Sequence, residues 1–282
     1  MLMQMIGDEV VSTDIHICTK LTDPAPRMDN SSENHYEELM KWEIDRKSLV
    51  FKEHIGSGQF GKILVFFIIV LQQPFLIITE YMKNGSLLDF LKKGVHENHL
   101  CTESAMNISS QVASAMCYLS DNNCVHRDLA ARNVLVGEIS ENHIPLVKVA
   151  DFGLARQMTT NNDTYFMSTD VPLPVKWMAP ESFLFKRFNM KTDVWSFGIL
   201  LWEIATMGKT PYAEWSSEHT MEMVSSGYKL PKPSAVVDFL YEDAFLPCID
   251  LNPDERPTFN QLCKYFDYNI NISKPKIRSN HN

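Results

Sequence analysis

Two short polar stretches carry side chains that can bind a metal ion and move a proton. The first, at 126–133, reads HRDLAARN, and the second, at 151–153, reads DFG. An aspartate and an asparagine five residues apart on one loop can share a site, in which Asp128 accepts a hydroxyl proton and Asn133 ligates a metal. Asp151, a second carboxylate beyond a predicted hairpin, can complete the metal coordination. We therefore expect these three side chains to line one cavity.

A glycine-rich stretch lies upstream, between two predicted strands. It reads GSGQFG at 56–61. Glycines let a backbone fold tightly over phosphate groups, which a Cβ atom would obstruct. The alternative interpretation is an ordinary glycine-rich hairpin. No helix opens after the third glycine, so the stretch is not a Rossmann fingerprint.

Together these stretches resemble the protein kinase family, and specifically its tyrosine kinases. The resemblance implies Mg²⁺-assisted transfer of the ATP γ-phosphoryl group to tyrosine hydroxyls of proteins. It makes Asp128 the catalytic base and makes Asn133 and Asp151 the Mg²⁺ ligands. It also implies that Arg127 pairs with a phosphate on the activation segment, where Tyr165 would be an autophosphorylation site; the alternative for Tyr165 is an exposed loop tyrosine.

Two local markers resemble tyrosine kinases rather than serine/threonine kinases. Ala130 stands where serine/threonine kinases usually carry a lysine, and Arg132 resembles the tyrosine-kinase group that supports the transferring phosphate. The second marker is LPVKWMAPE at 173–181, which in this family shapes a shelf for the substrate phenol ring. The sequence of that segment resembles receptor-type tyrosine kinases more than cytoplasmic ones.

The resemblance also assigns an ATP pocket. Thr79 stands at the gatekeeper position, Glu80 and Met82 resemble the hinge that meets adenine, and Ile63 and Leu135 would cover the adenine ring. The phosphate-covering residues would be Ile55, Gly56, Ser57, Gly58, Phe60 and Gly61.

The resemblance breaks between Gly61 and Thr79. A kinase needs a third-strand lysine paired with a helix glutamate, yet this interval holds one lysine, Lys62, and no acidic residue. Strand side chains alternate, so Lys62 would point away from the surface that Ile63 presents to adenine. Either the chain is a catalytically impaired pseudokinase that acts as a scaffold, or the sequence is an incomplete gene model or splice form of an active kinase. The intact Asp128 and its companions favour the second explanation.

The elements that must position these residues follow from hydrophobic periodicity. Strands are predicted from Leu49, after Gly61 and over 75–79, and helices over 86–93 and 102–119. A hairpin is predicted from 134–136 and 146–149, a central helix over 191–207 stopped by Gly208, and a last helix starting near Pro257. Pro247 is expected to bend or end a helix.

Strands first and helices after predict an α+β, two-lobed, protein kinase-like fold with a truncated β-rich N-lobe and a largely helical C-lobe. We assign residues 1–41 to a polar, disordered linker resembling a juxtamembrane segment, 42–270 to the kinase domain and 271–282 to a polar tail. The N-lobe would span 42–80 and the C-lobe 85–270.

Charge and composition limit the kinds of partner and the location that we expect for this protein. The net charge of −9 and the pI near 5.5 argue against a nucleic-acid-binding surface. Six cysteines without a C-x-x-C pair are typical of free thiols in a reducing compartment. No apolar run is long enough to span a bilayer. We therefore expect a cytoplasmic location, or a membrane-associated one if the chain is part of a longer receptor.

Overall fold

A computed structural model describes residues 15–20, 68–70, 76–97, 101–158, 164–166, 173–233 and 240–273. The chain divides into two compact units. The first comprises residues 1–82 together with 150–153, and the second comprises residues 83–149 together with 154–282.

The first unit contains a three-stranded antiparallel sheet. Its strands are β1 (Ile15–Lys20), β2 (Ile68–Val70) and β3 (Leu76–Glu80), in the order β1-β3-β2. All three sequences are rich in isoleucine, whose branched Cβ favours extended backbone. The strand predicted over 75–79 is confirmed, shifted by one residue.

Strand β1 corrects one expectation. Residues 1–41 were assigned to a disordered linker, but Ile15–Lys20 pairs with β3, with Ile15 opposite Glu80 and Ile17 opposite Ile78. The local sequence, IHICTK, is too short an apolar alternation to stand out from its polar flanks. The β-branched residues of β1 favour an extended backbone, but the sequence of β1 does not reveal which strand it pairs with.

Strand β2 is the second strand expected after the glycine-rich stretch, although it begins at Ile68. It lies in antiparallel register with β3, with Ile68 opposite Ile78 and Val70 opposite Leu76. The predicted phosphate-covering residues and Ile63 lie outside the described residues. These are Ile55, Gly56, Ser57, Gly58, Phe60 and Gly61.

The second unit is mainly helical, as predicted. Its helices are α1 (Leu87–Glu97), α2 (Thr102–Asp121), α3 (Pro180–Phe185), α4 (Met190–Ala205), α5 (Ser217–Ser225), α6 (Leu246–Cys248) and α7 (Phe259–Ser273). A π-helical turn over Leu240–Phe245 leads directly into α6. The helices predicted over 102–119 and 191–207 correspond to α2 and α4.

Short antiparallel strand pairs link these helices. Strand β4 (Cys124–Val125) pairs with β7 (Arg156–Gln157), and β5 (Val134–Ile139) pairs with β6 (Pro145–Val149). Strand β8 (Tyr165–Phe166) pairs with β9 (Arg187–Phe188). The β5–β6 pair is the predicted hairpin, so the loop at 126–133 lies between two short strands.

Helix α4 forms the centre of the second unit. Its first turn is closed by a capping box between Asn189 and Thr192, and Gly208 (φ 78°) ends the following turn by donating its N–H to the Glu203 carbonyl at 2.8 Å. A Cβ on Gly198 would lie 2.8 Å from the Cβ of Cys248, so α4 and α6 approach closely only because this position is glycine. The burial of α4 makes it a rigid support for the loops around it.

A helix ends next to Pro247, which is one of the two effects expected of this proline. Helix α6 contains three residues and ends at Cys248, immediately after the proline. Proline cannot donate a backbone hydrogen bond, and the wider π-helical turn before it accommodates the missing donor. Within the described part of the chain, no helix is long and apolar enough to cross a membrane.

Candidate active site

The loop between β4 and β5 is held in place by a buried carboxylate of α4. Asp193 accepts the backbone N–H of His126 at 2.7 Å and that of Arg127 at 2.9 Å. These two bonds fix a backbone turn in which Arg127 has a φ of 71°. Complete burial raises the pKa of Asp193 to about 7, although the two N–H donors favour its ionised form. Asp193 therefore fixes the backbone at the start of this loop.

A second buried carboxylate of α4 holds the other end of the same loop. Glu203 accepts the backbone N–H of Ala131 at 2.9 Å, where a 3₁₀ turn over Ala131–Asn133 begins. Burial raises the pKa of Glu203, and the Ala131 N–H opposes that rise. Sequence reasoning missed this residue. The available signal was a glutamate within the otherwise apolar stretch from Phe197 to Ala205.

Between these two points, Asp128 is held by two neighbouring side chains. The Asn133 amide Nδ2 donates to Asp128 Oδ2 at 2.7 Å and to the Asp128 carbonyl at 2.7 Å, and Arg132 Nη2 pairs with Oδ1. Burial raises the pKa of Asp128, whereas the Arg132 charge and the Asn133 hydrogen bond oppose the rise. The structure therefore brings together three of the predicted site residues around one carboxylate.

Arg132 also connects this loop to the segment at 173–181. Its guanidinium lies 4.5 Å from the centroid of the Trp177 ring, and the Trp177 carbonyl accepts a hydrogen bond from Ser196 Oγ at 2.8 Å. A guanidinium above an indole face is attracted by the ring quadrupole. Arg132 is thus fixed on one side by a carboxylate and on the other by an aromatic ring.

Tyr165 lies beside two arginines. The Arg127 guanidinium is 4.6 Å from the centroid of the Tyr165 ring, and the Arg156 guanidinium is 5.8 Å from it. Arg127 also donates from Nε to the Leu154 carbonyl, and its burial lowers the pKa of the guanidinium. The structure therefore brings the two predicted regulatory residues, Arg127 and Tyr165, into contact.

A buried ion pair ties α3 to the segment before α7. Arg256 donates from Nη1 to Glu181 Oε1 at 2.6 Å and from Nη2 to Oε2 at 2.9 Å. The arginine is 1% exposed, and it also donates to the carbonyls of Asp250 and Lys191. The Glu181–Arg256 pair is therefore bidentate, the geometry in which an arginine fork matches a carboxylate.

Asp151 begins a 3₁₀ turn over Phe152–Leu154 and has a φ of 64°. Its Oδ1 accepts the Gly153 N–H at 3.3 Å. Asp151 belongs to the first unit, whereas Asn133 belongs to the second. A carboxylate and an amide oxygen are the hard donors that Mg²⁺ prefers, and the Asn133 amide nitrogen is already engaged by Asp128. The donor set fits the metal, and the ligand roles stay predictions.

The predicted adenine-pocket residues are divided between the units. In the first unit, Thr79 lies in β3 opposite His16, Glu80 is half-buried and Met82 is buried. In the second unit, Leu135 is buried, and its backbone forms a bridge with Ser86. Their roles in binding adenine stay predictions.

Comparison with known proteins identifies the family. A family model described as protein tyrosine and serine/threonine kinase matches residues 63–266. The sponge Spongilla lacustris has a tyrosine-protein kinase, SRK3, that is 34% identical over 84% of this chain and 81% of its own length. The chain belongs to the protein tyrosine kinase family. Kinases of this family use ATP and Mg²⁺ and act on proteins.

Two further relatives are longer than this kinase. Tyrosine protein-kinase src-1 of Caenorhabditis elegans is 36% identical over 89% of the chain and 54% of its own length. Human tyrosine-protein kinase FRK is 38% identical over 87% of the chain and 55% of its own length. The kinase described here thus spans about half the length of these two relatives.

The alignments also show a difference in length within the matched region. The match to src-1 is 294 positions long but uses only 89% of the 282 residues of this kinase, and the match to FRK is 288 positions long with 87%. Each relative therefore carries several dozen residues within the matched region that have no counterpart in this kinase.

Proposed function

We propose that this kinase transfers the γ-phosphoryl group of ATP to tyrosine hydroxyls of protein substrates, with Mg²⁺. In this proposal Asp128 accepts the hydroxyl proton and Arg132 supports the transferring phosphate. Asn133 and Asp151 hold the metal, which when bound neutralises charge on the phosphates. The nucleotide is held by the glycine-rich stretch and by five further residues: Thr79, Glu80, Met82, Ile63 and Leu135.

One observation carries the proposal: the Asp128 carboxylate is held between Asn133 and Arg132. A base that accepts a proton must be fixed within reach of the hydroxyl, and its rotamer must be determined before substrate binds. Asn133 fixes one carboxylate oxygen and Arg132 the other, while Asp193 and Glu203 immobilise the backbone on either side. This degree of support is typical of a site organised for catalysis.

The missing lysine favours a second candidate, a nucleotide-binding or inert scaffold. Electrostatic donors aimed at a reacting group are commonly worth about 10²–10³ in rate each. If the several dozen residues are absent from the natural protein, activity falls by at least that factor. If these residues are present in the natural protein and are missing only from the gene model, the natural protein retains full activity. The retained metal-binding residues favour the incomplete gene model.

The decisive assay uses radiolabelled ATP, Mg²⁺ and a poly-Glu/Tyr substrate, with Asp128→Asn as the matched variant. The proposal expects incorporation by the wild-type chain and a loss of at least about 10²-fold in Asp128→Asn. Equal incorporation by both proteins would exclude Asp128 as the base. Circular dichroism checks that the variant keeps its fold.

A thermal-shift measurement with ATP and Mg²⁺ separates the alternatives if no incorporation is seen. A rise in unfolding temperature with ATP and Mg²⁺ would indicate a nucleotide-binding scaffold, because a ligand that binds only the native state stabilises it. No shift would remove nucleotide binding as well. Sequencing spliced RNA across the codons for Gly61 to Pro74 tests the gene model, since an unchanged junction would exclude the missing-segment explanation.

We further propose that Tyr165 is phosphorylated and that the phosphate is bound by Arg127. The support is the position of the ring, within 6 Å of two guanidinium groups. A phosphate on this hydroxyl would add nearly two negative charges beside those cations and order the segment. A cytoplasmic location is proposed from the buried, unpaired thiols of Cys124 and Cys248, which fit a reducing compartment.

A further inference from the structure

The indole of Trp177 limits the positions that the Arg132 side chain can take. The Arg132 guanidinium pairs with Asp128 through Nη2, and it lies 4.5 Å from the centroid of the Trp177 ring. The Arg132 side chain is 32% exposed, and a partly exposed ion pair contributes little by itself to holding a long side chain in one place. An indole offers a cation the strongest face among the aromatic side chains, so the ring adds a second support for the guanidinium.

Both partners of this contact are fixed to the same helix, α4. Ser196 Oγ donates to the Trp177 carbonyl at 2.8 Å, and Glu203 accepts the N–H of Ala131, the residue before Arg132, at 2.9 Å. Helix α4 is buried along most of its length, and packed interiors deform little. One rigid element therefore sets the distance between the two backbones, so the ring and the guanidinium meet before any substrate binds.

We infer that Trp177 is a positioning residue for the proposed phosphoryl transfer, and that it acts by holding the Arg132 guanidinium against Asp128. The inference rests on the proposed function, in which Asp128 accepts the hydroxyl proton and Arg132 supports the transferring phosphate. Both tasks need a fixed guanidinium, since a misplacement of about 1 Å can cost about 10²-fold in rate. Trp177 acts through Arg132 and takes no part in the transfer itself.

A second arginine of the same unit provides a matched control. Arg187 is exposed, and its guanidinium lies 5.6 Å from the centroid of the Phe166 ring and 5.5 Å from that of Phe185. Like Arg132 it is held against aromatic rings, but neither ring is that of Trp177. A substitution at Trp177 that acts on Arg132 should therefore leave Arg187 as it was.

Chemical modification measures how firmly Arg132 is held and needs no enzymatic activity. Phenylglyoxal reacts with accessible guanidinium groups, and trypsin no longer cuts after a modified arginine. Modification of Arg132 therefore leaves residues 128–148 as one peptide, and modification of Arg187 leaves residues 187–191 as one peptide. Mass spectrometry of the full chain, sampled at successive times, gives the two rates separately.

Replacing the indole should release Arg132 alone. In Trp177→Leu the reaction at Arg132 should be about two- to fivefold faster than in the wild type, the factor expected for loss of an exposed cation–π contact, with the rate at Arg187 unchanged. Trp177→Phe keeps a weaker ring and should give an intermediate rate. Circular dichroism checks the fold, and Trp177→Phe alone carries the comparison if Trp177→Leu does not fold. An unchanged rate at Arg132 in a folded variant, or an equal rise at both arginines, would overturn the inference.

The kinetic consequence is tested by a double-mutant cycle in the poly-Glu/Tyr assay. Trp177→Leu should lower kcat about tenfold or more and leave KM for ATP within about twofold, because Trp177 is not among the residues proposed to hold the nucleotide. In an Arg132→Gln background the same substitution should lower kcat by less than about twofold, because the group through which Trp177 acts is gone. Equal factors in the two backgrounds would show that Trp177 acts independently of Arg132.

The two measurements separate failure of this inference from failure of the proposed function. A wild-type chain without activity would count against the proposed function, while the modification rates would still decide whether Trp177 holds Arg132. An active chain in which Trp177→Leu frees Arg132 but leaves kcat unchanged would overturn the positioning role and leave the proposed function intact.

Discussion

The Glu203 carboxylate accepts the Ala131 N–H at 2.9 Å, ten residues along α4 from the point where Asp193 accepts the N–H groups of His126 and Arg127. At 1.5 Å per residue these two carboxylates are about 15 Å apart along the helix. One buried helix thus accepts hydrogen bonds from both ends of the loop that carries Asp128. The position of that carboxylate is determined by the packing of α4 as much as by its own neighbours.

Removing the Glu203 carboxylate should destabilise the protein. In Glu203→Ala the Ala131 N–H loses its acceptor in a buried place, which costs about 1–3 kcal/mol of unfolding free energy. Glu203→Gln keeps an acceptor oxygen and should cost less than half as much. Urea unfolding followed by tryptophan fluorescence measures both.

Equal costs for the two Glu203 variants would contradict this account, because they would show that the N–H contact contributes nothing beyond side-chain packing. Hydrogen exchange at Ala131 provides an independent check. Its amide should exchange faster in the alanine variant than in the glutamine variant.

Two of the ion pairs of the second unit, one buried and one exposed, should differ sharply in their contribution to stability. Glu181→Gln leaves the fully buried Arg256 charge without its partner and should cost about 3–5 kcal/mol. Glu138→Gln breaks the exposed pair with Lys83 and should change stability by less than about 1 kcal/mol. Thermal unfolding of the two variants side by side measures the difference; similar costs would refute the assignment of Glu181–Arg256 as a structural support.

Patterns in the sequence predicted the helical part of the fold well, since its signals are strong and local. The spacing of apolar residues gave α2, and Gly208 marked the end of α4. The HRDLAARN stretch identified Asp128 and the two residues that hold it, because all three lie on one loop. Short sequence separation makes such neighbours predictable from spacing and resemblance.

Contacts between distant parts of the chain could not be predicted in the same way. Glu203 reaches Ala131 only after α4 has packed beneath the loop, and Trp177 meets Arg132 only after the intervening segment has folded. Strand β1 pairs with β3 across more than fifty residues, and nothing in its own short sequence names that partner. Tertiary packing decides these relationships, whereas local propensity does not.

Tyr165 should contribute to stability through its ring, independently of its hydroxyl. Tyr165→Phe keeps a ring over the Arg127 guanidinium, so its free energy of unfolding should lie within about 0.5 kcal/mol of that of the wild type. Tyr165→Ala removes the ring and should cost about 1 kcal/mol more, from the lost cation–π contact and packing. Equal stabilities of the phenylalanine and alanine variants would show that the contact carries no energy.

The same variants test modification at this position. Incubation with ATP and Mg²⁺, alone or with an added tyrosine kinase, should yield a phosphopeptide containing residue 165 in the wild type and none in Tyr165→Phe. Arg127→Gln should leave the site modifiable but reduce any gain in unfolding temperature on phosphorylation. A phosphorylated wild type with unchanged unfolding temperature would argue against Arg127 as the phosphate partner.

Cys101 should be the most reactive of the described thiols near neutral pH. Hydrogen bonds from the Ser104 side chain and backbone lower its pKa, and it is exposed, whereas Cys124 is buried and its pKa is raised to about 11. Because the thiolate is the nucleophile, a lowered pKa means that the reactive fraction of Cys101 rises at lower pH than in a free cysteine. Iodoacetamide labelling followed by mass spectrometry should therefore modify Cys101 first, with an apparent pKa below that of glutathione in the same buffer. Ser104→Ala removes the hydroxyl contact and should shift the Cys101 labelling profile to higher pH. An unchanged profile would show that Ser104 does not stabilise the thiolate, and early labelling of Cys124 would show that its burial is not maintained in solution.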